Sequence, residues 1–120
     1  MKSYKNLKAA QRAYDLVVAT YRLTEKFPSS EQFGLVSQLR RASVSVLANL
    51  VEGQARTYKK EFSQFISMAR GSLAEVEVYL ELSKDLGFIS ETEYRAVEEI
   101  RSNAGSLTFG LAKSLKSQET

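Results

Sequence analysis

The sequence predicts an all-α protein, an antiparallel up-and-down bundle of four helices. Apolar residues recur every three to four positions in four segments, as on one face of a helix, and strand-like alternation is absent. Turn-forming residues separate these segments by short connections, which make consecutive helices lie antiparallel. The length of 120 residues is that of one domain with a substantial core.

The first helix is predicted over residues 5–26. Its apolar stripe consists of Leu7, Ala10, Tyr14, Val17, Val18 and Tyr21. Pro28 ends this helix, because proline disfavours helical geometry in the residue before it. Ser29 followed by Gln32 has the pattern of a capping box, which starts a second helix over residues 30–55.

A weaker break separates helix two from helix three, which is predicted over residues 58–86. Gly53 lies near the end of helix two, and Thr57 is the predicted N-cap of helix three. Both helices carry more apolar surface than the stripe of about 100° that a bundle helix buries. We interpret the surplus as a subunit interface of a dimer or ring. The alternative is an uneven core in which these two helices are central.

The third break is the clearest. Gly87 suits a left-handed helix terminus, and Ser90 with Glu93 forms a second capping box. The fourth helix is predicted over residues 91–116. Its apolar stripe consists of Val97, Ile100, Ala104, Leu107, Leu111 and Leu115.

Composition excludes several classes of function. The chain has no cysteine and no histidine, so it lacks disulfides, thiolate metal sites and the commonest general base. Glu77, Glu81 and Asp85 recur every four residues, which is typical of a solvated acidic face. No apolar run approaches a membrane span, and the N-terminus lacks the apolar core of a signal peptide. We predict a cytoplasmic, non-enzymatic protein without metal, cofactor or small-molecule substrate.

Polar residues recur along one narrow arc of helix two, at positions Gln38, Arg41, Ser45, Asn49 and Glu52. Helix three offers a matching line, which consists of Arg70, Ser72 and Glu75 beside Gly71. A glycine inside a helix often marks the close approach of another backbone. These residues form a polar network at a core edge or subunit seam, a solvated face, or a ligand or partner site. Arg40, inside the apolar arc, is predicted to be an interfacial salt-bridge partner.

Two basic clusters point to nucleic acid. Lys5, Lys8 and Arg12 share one face of helix one. The turn after helix two contributes Arg56, Lys59 and Lys60, with Tyr58 as a stacking ring. Antiparallel packing would merge both clusters at one end, where they could bind phosphates without reading sequence. Residues 1–60 carry a net charge of +7 and residues 61–120 carry −4, although the alternative is ordinary solubilising charge.

Two stretches carry a resemblance to a known family: "FPSSEQFGLVSQLRRASVSVLANLVEG" and "EFSQFISMARGSLAEVEVYLELSKDLGFIS". They resemble the four-helix bundle proteins encoded in intervening sequences of bacterial 23S ribosomal RNA genes. Asn49, Glu52 and Gly53 match the family's asparagine–x–x–glutamate–glycine element. Its glycine-serine-leucine and glutamate element is matched by Gly71, Ser72, Leu73 and Glu75.

The resemblance implies an up-and-down bundle that assembles as a ring, a homopentamer, without an established enzymatic activity. The family also resembles the accessory bundle proteins of diversity-generating retroelements, which are partners of a reverse transcriptase and nucleic acid. We therefore expect a homo-oligomer that binds structured RNA or a nucleoprotein partner. The alternatives are a protein-binding assembly or adaptor module, and a mobile-element passenger without nucleic-acid binding.

Overall fold

A computed structural model describes residues 4–118 of the chain. It consists of four α-helices: α1 (Lys8–Thr24), α2 (Leu35–Gln54), α3 (Lys59–Asp85) and α4 (Glu91–Gln118). Short 3-10 turns at Tyr4–Asn6 and Ser29–Glu31 precede α1 and α2. No strand occurs within residues 4–118, and the all-α fold class is therefore confirmed.

The helices form a square in which each one packs against two others. The neighbouring pairs are α1 with α2, α2 with α3, α3 with α4, and α4 with α1. Cross-helix contacts show the antiparallel order. Lys26, just after α1, pairs with Glu93 in the first turn of α4. Arg70, in the first half of α3, lies over the ring of Phe109 in the second half of α4.

The core lies along the inner faces of all four helices, and its largest fully buried apolar side chains are Leu16, Leu39, Leu50, Ile66 and Leu80. The stripe predicted for helix one is correct at Leu7 and Ala10 but wrong at Tyr14 and Tyr21, which are exposed. The buried face of α1 consists of Ala9, Ala10, Ala13, Leu16, Thr20, Leu23 and Thr24. Alanine and threonine make up most of this face, whereas the tyrosines lie at its edge, where a hydroxyl can contact water.

The predicted start of helix two is also wrong. Ser29 opens a 3-10 turn, and α2 begins six residues later at Leu35. The Gln32 backbone N–H donates to the carbonyl of Ser29 rather than completing a capping box. Glu31 takes over the capping role, because its Oε1 accepts a hydrogen bond of 3.3 Å from the backbone N–H of Leu35.

The junction between α3 and α4 has the glycine helix terminus and the capping box that the sequence predicts. Gly87 has a φ of 82°, and the N–H of Phe88 donates to the Ser83 carbonyl at 2.9 Å. This left-handed glycine and its six-to-one hydrogen bond close the end of α3. The Ser90 and Glu93 capping box is confirmed, with bonds of 3.1 Å and 2.8 Å. The hydrogen bond from Lys26 is the main cause that lowers the pKa of Glu93.

Helices α2 and α3 approach closely at Gly53. A Cβ atom at Gly53 would lie 2.7 Å from Phe65 Cβ and 2.9 Å from Phe62 Cδ1. Gly53 is therefore a packing residue in the last turn of α2, and the N-cap of α3 is Tyr58 rather than the predicted Thr57. The close approach inferred at Gly71 does not occur within the described chain, because a Cβ there meets no atom within 4 Å.

The two glycines make a matched test of this packing. We expect Gly53→Ala to lower the free energy of unfolding by about 1–3 kcal/mol, because the added methyl overpacks the α2–α3 contact. Gly71→Ala should raise it by up to ~1 kcal/mol, because alanine is the better helix former and has open space there. Urea unfolding of both variants measures the difference. Equal effects would contradict the close approach at Gly53.

Candidate nucleic-acid interface

One end of the bundle is built from the start of α1, the end of α2, the start of α3 and the end of α4. We call it the basic end, because both basic clusters predicted from the sequence lie there. Lys5, Lys8 and Arg12 belong to α1 and the turn before it. Arg56, Tyr58, Lys59 and Lys60 lie between α2 and the first turn of α3. The antiparallel order therefore brings two distant stretches of sequence to the same end.

The fold sorts charge along the bundle axis. Dividing each helix near its midpoint, which in α2 and α3 lies at the contact between Ser45 and Ser72, assigns residues 4–16, 45–72 and 105–118 to the basic end and residues 17–44 and 73–104 to the other. The basic half has nine Lys and Arg against three Asp and Glu, a net charge of +6. The other half has seven against ten, a net charge of −3. The charge asymmetry of the sequence thus becomes an asymmetry between two ends.

The arginines at the basic end already contact protein groups. Arg12 Nε donates to Asn103 Oδ1 at 2.8 Å, and its guanidinium pairs with Asp15 at 3.2 Å. Arg56 pairs with Glu52 at 2.9 Å and lies over an aromatic ring of α3. Both side chains are thereby held in place, and each positive charge is partly compensated by a carboxylate.

The lysines are more available to an outside anion. Lys8, Lys59 and Lys60 are exposed, and none of them forms an ion pair with another described residue. Lys5 is also exposed, and its backbone carbonyl accepts a hydrogen bond from Gln11. Tyr58 is 69% exposed between the two helices. This end therefore presents ammonium groups beside a ring that a base could stack on.

Three further cations at this end were missed by the sequence interpretation. Lys113 and Lys116 lie in the last turns of α4, which reach the basic end because α4 runs antiparallel to α3. Arg70, assigned from sequence to the polar line facing α2, lies on the other side of α3 against Phe109. The predicted topology already implied the position of Lys113 and Lys116, so the sequence contained the information needed to find them.

The polar arc of α2 lies along the seam between α2 and α3 of the same chain. The hydroxyls of Ser45 and Ser72 are 2.8 Å apart, and Ser72 is buried. Asn49 Nδ2 donates to the Ser45 carbonyl at 2.8 Å and to Ser45 Oγ at 3.1 Å. This central part of the arc is half-buried and links the two helices through side-chain hydrogen bonds.

Toward the other end of the bundle the arc continues as a charged group. Arg41 pairs with Glu75 at 2.6 Å and donates to Gln38 Oε1 at 3.1 Å. The hydroxyl of Tyr79 donates a hydrogen bond of 3.3 Å to Glu75. The hydrogen bond with Glu75 is the main cause that raises the pKa of Arg41. Gln38 and Arg41 are exposed, so this part of the seam contacts water in the single chain.

Three arginines of α2 and the turn after it find contacts within the chain. Glu52 pairs with Arg56 one turn later, and Arg41 pairs with Glu75. Arg40 donates from Nε to Thr24 Oγ1 at 2.9 Å and lies 4.5 Å from the centroid of the Tyr21 ring. Among residues 4–118, Arg40 therefore packs on α1 without a carboxylate partner.

The surplus apolar surface remains uncovered in the single chain. Val44 on α2, Met68 and Leu82 on α3, and Leu86 directly after α3 are 40–60% exposed. Val78 on α3 is exposed as well. These side chains lie on the outward faces of the two helices, on both sides of the polar seam. We call this surface the α2–α3 face.

Residues 4–118 contain neither a group of metal-ligating side chains nor a helix that could span a membrane. No group of acidic side chains within residues 4–118 is arranged to hold a metal ion. Glu77 of the acidic face pairs with Arg101 at 3.2 Å. Arg101 also bonds to Glu98, and that hydrogen bond is the main cause that raises the pKa of Arg101. In the same part of the chain, no helix combines the length and the apolar character that a membrane span requires.

Comparisons with known proteins point to one family. Residues 5–109 match the family model of the 23S rRNA-intervening sequence protein. No curated protein shows significant similarity to the chain. A crystal structure of a protein of unknown function from the S23 ribosomal protein family of Bacteroides thetaiotaomicron VPI-5482 has a similar fold, with a TM-score of 0.81 and 19% identity. The match covers 88% of this chain and 95% of that one.

The contact between Ser45 and Ser72 can be tested by a double-mutant cycle. Ser45→Ala and Ser72→Ala should each lower the free energy of unfolding by about 1 kcal/mol, because each removes the hydrogen bond between the two hydroxyls. The double variant should cost less than the sum, with a coupling of about 0.5–1.5 kcal/mol. Ser67→Ala, at an exposed position of α3, is the control. Strictly additive losses would show that the two hydroxyls do not interact.

Proposed function

Because the chain belongs to the 23S rRNA-intervening sequence protein family, whose function is unknown, we propose that it is a non-enzymatic homo-oligomer that binds structured RNA. The observation that carries the proposal is the charge of +6 on one half of the bundle against −3 on the other. RNA presents a dense row of phosphates, and lysines that neutralise them release bound counterions. Such a role would place the protein in the cytoplasm.

The basic end suits contacts to phosphate better than the reading of base pairs. Its exposed cations are mostly lysines, which act as point charges on flexible stems and do not impose the planar geometry of an arginine fork. Lys59 and Lys60 begin α3, and Lys8 begins α1. Tyr58 adds a ring on which an unpaired base of an RNA loop can stack. We therefore propose recognition of RNA shape and backbone, with little dependence on sequence.

Self-assembly is the second part of the proposal. The α2–α3 face supports it, because isolated chains rarely leave this many large apolar side chains exposed on adjoining helices. The family resemblance implies a ring of five. A ring would present the basic end once per subunit and would strengthen weak individual contacts through avidity. The same face also favours a competing function, in which the chain is an assembly or adaptor module that binds another protein.

Charge removal at the basic end tests RNA binding. We expect Lys59→Gln/Lys60→Gln to weaken binding to an RNA hairpin and to reduce the log–log salt slope by about two units, one for each lost phosphate contact. Fluorescence anisotropy at several salt concentrations measures both quantities. The control is Arg22→Gln/Arg95→Gln, which removes the same charge from exposed positions in the other half. Equal losses in both variants would indicate nonspecific charge attraction.

Charge introduction on the α2–α3 face tests assembly. Val44→Glu and Leu82→Glu should each convert the oligomer to single chains, because burying an unpaired carboxylate at an interface is costly. Phe33→Glu changes an exposed aromatic residue outside this face and should leave the assembled mass unchanged. Sedimentation velocity gives the mass of each variant. A wild-type chain that sediments as a monomer would exclude self-assembly.

A further inference from the structure

A groove along the seam between α3 and α4 extends the basic end onto the side of the bundle. One part has a volume of about 390 Å³ and is lined by residues that include Ala74, Arg101 and Gly105. The adjoining part has a volume of about 600 Å³ and reaches Lys113 and Lys116. Arg70 and Phe109 line both parts, so the two form one continuous groove. Volumes of this size are typical of sites for small ligands.

Phe109 is the aromatic centre of this groove. Its side chain is 49% exposed, although phenylalanine has no polar group that would favour contact with water. The guanidinium carbon of Arg70 lies 5.2 Å from the ring centroid, and Lys113 Nζ lies 5.7 Å from it. Exposed cation–π contacts of this kind are weak. A flat ligand can therefore displace either cation from the ring at little cost.

Unpaired positive charge is confined to one part of the groove. Arg70, Lys113 and Lys116 surround its part near the basic end, and none of them pairs with a carboxylate among the described residues. At the opposite end, Glu77 and Arg101 line the groove and pair with each other, so their charges cancel there. A ligand with several negative charges is thus directed toward the basic end.

We propose that this groove binds an unpaired stretch of RNA, with one base stacked on Phe109 and the flanking phosphates on Arg70, Lys113 and Lys116. The inference rests on the proposed RNA-binding function and adds a second, single-strand-specific site to it. An unpaired base exposes its faces to an aromatic side chain, whereas the bases of a duplex are already stacked on each other. Cations around one exposed ring form the combination that single-strand-binding surfaces use.

Substitution of Phe109 tests the stacking contact. We expect Phe109→Ala to weaken binding of a labelled oligoadenylate roughly 5- to 150-fold, the range for loss of one stacked base. Phe109→Tyr should retain the affinity, because it keeps the ring. Binding of a blunt-ended RNA duplex, which has no unpaired loop or flank, should be unchanged in both variants. Phe33→Ala is the matched control, because Phe33 is 94% exposed and lies outside the groove.

A tryptophan at the same position reports stacking directly. The chain has no tryptophan, so Phe109→Trp introduces its only indole. Oligoadenylate should quench the indole fluorescence, whereas an abasic strand of the same length should bind through its phosphates and leave the fluorescence unchanged. Phe33→Trp should show no quenching with either strand. Equal quenching of Phe109→Trp by both strands would overturn the stacking contact.

The outcomes separate this inference from the proposed function. If hairpin binding persists while Phe109→Ala binds oligoadenylate as tightly as the wild type, the groove is not a single-strand site and the basic end alone binds RNA. If the wild type binds neither probe at low salt, the proposed function and the groove both fail. If Phe109→Ala lowers the assembled mass, the groove is a contact between subunits and the inference is overturned.

Discussion

The short connections between helices are the constraint on which the other features of this bundle depend. Four residues join α2 to α3 and five join α3 to α4. A chain of that length spans at most about 14–18 Å, whereas α3 and α4 are each about 40 Å long. Each of these helices must therefore run antiparallel to the one before it. This order collects Lys8 of α1, Lys59 and Lys60 of α3, and Lys113 and Lys116 of α4 at one end and places most carboxylates at the other.

The α2–α3 seam translates this topology into specific contacts. Gly53 lets the two backbones approach near the basic end, and the hydroxyls of Ser45 and Ser72 fix the register in the middle. Arg41 and Glu75 close the seam further along. The polar groups of the seam form hydrogen bonds with each other. The apolar side chains on both sides of the seam are therefore available to contact another molecule. The polar arc and the proposed assembly surface are therefore adjacent but distinct.

Local rules predicted most of the fold but failed at the Ser29 capping box and the Thr57 N-cap, and the other failures occurred where packing decides. Helical periodicity was sufficient for four helices, and Gly87 with the Ser90 and Glu93 box depends only on nearby backbone. The buried face of α1 was partly misassigned because the predicted stripe ran through Tyr14 and Tyr21, whereas alanine and threonine occupy most of the face that is buried. The groove around Phe109 could not be predicted, because it requires the lateral position of α4 against α3. Which partners meet these surfaces depends on molecules outside the chain.

The most direct test of the account is the affinity of the unmodified protein for a labelled RNA hairpin as the salt concentration is raised. If several lysines contact phosphate, we expect binding in the micromolar range or tighter. The logarithm of the affinity should then fall with the logarithm of the salt concentration, with a slope of several negative units. A flat salt dependence would contradict binding through the basic end. Absence of binding even at low salt would remove the nucleic-acid function and would favour a module that binds protein.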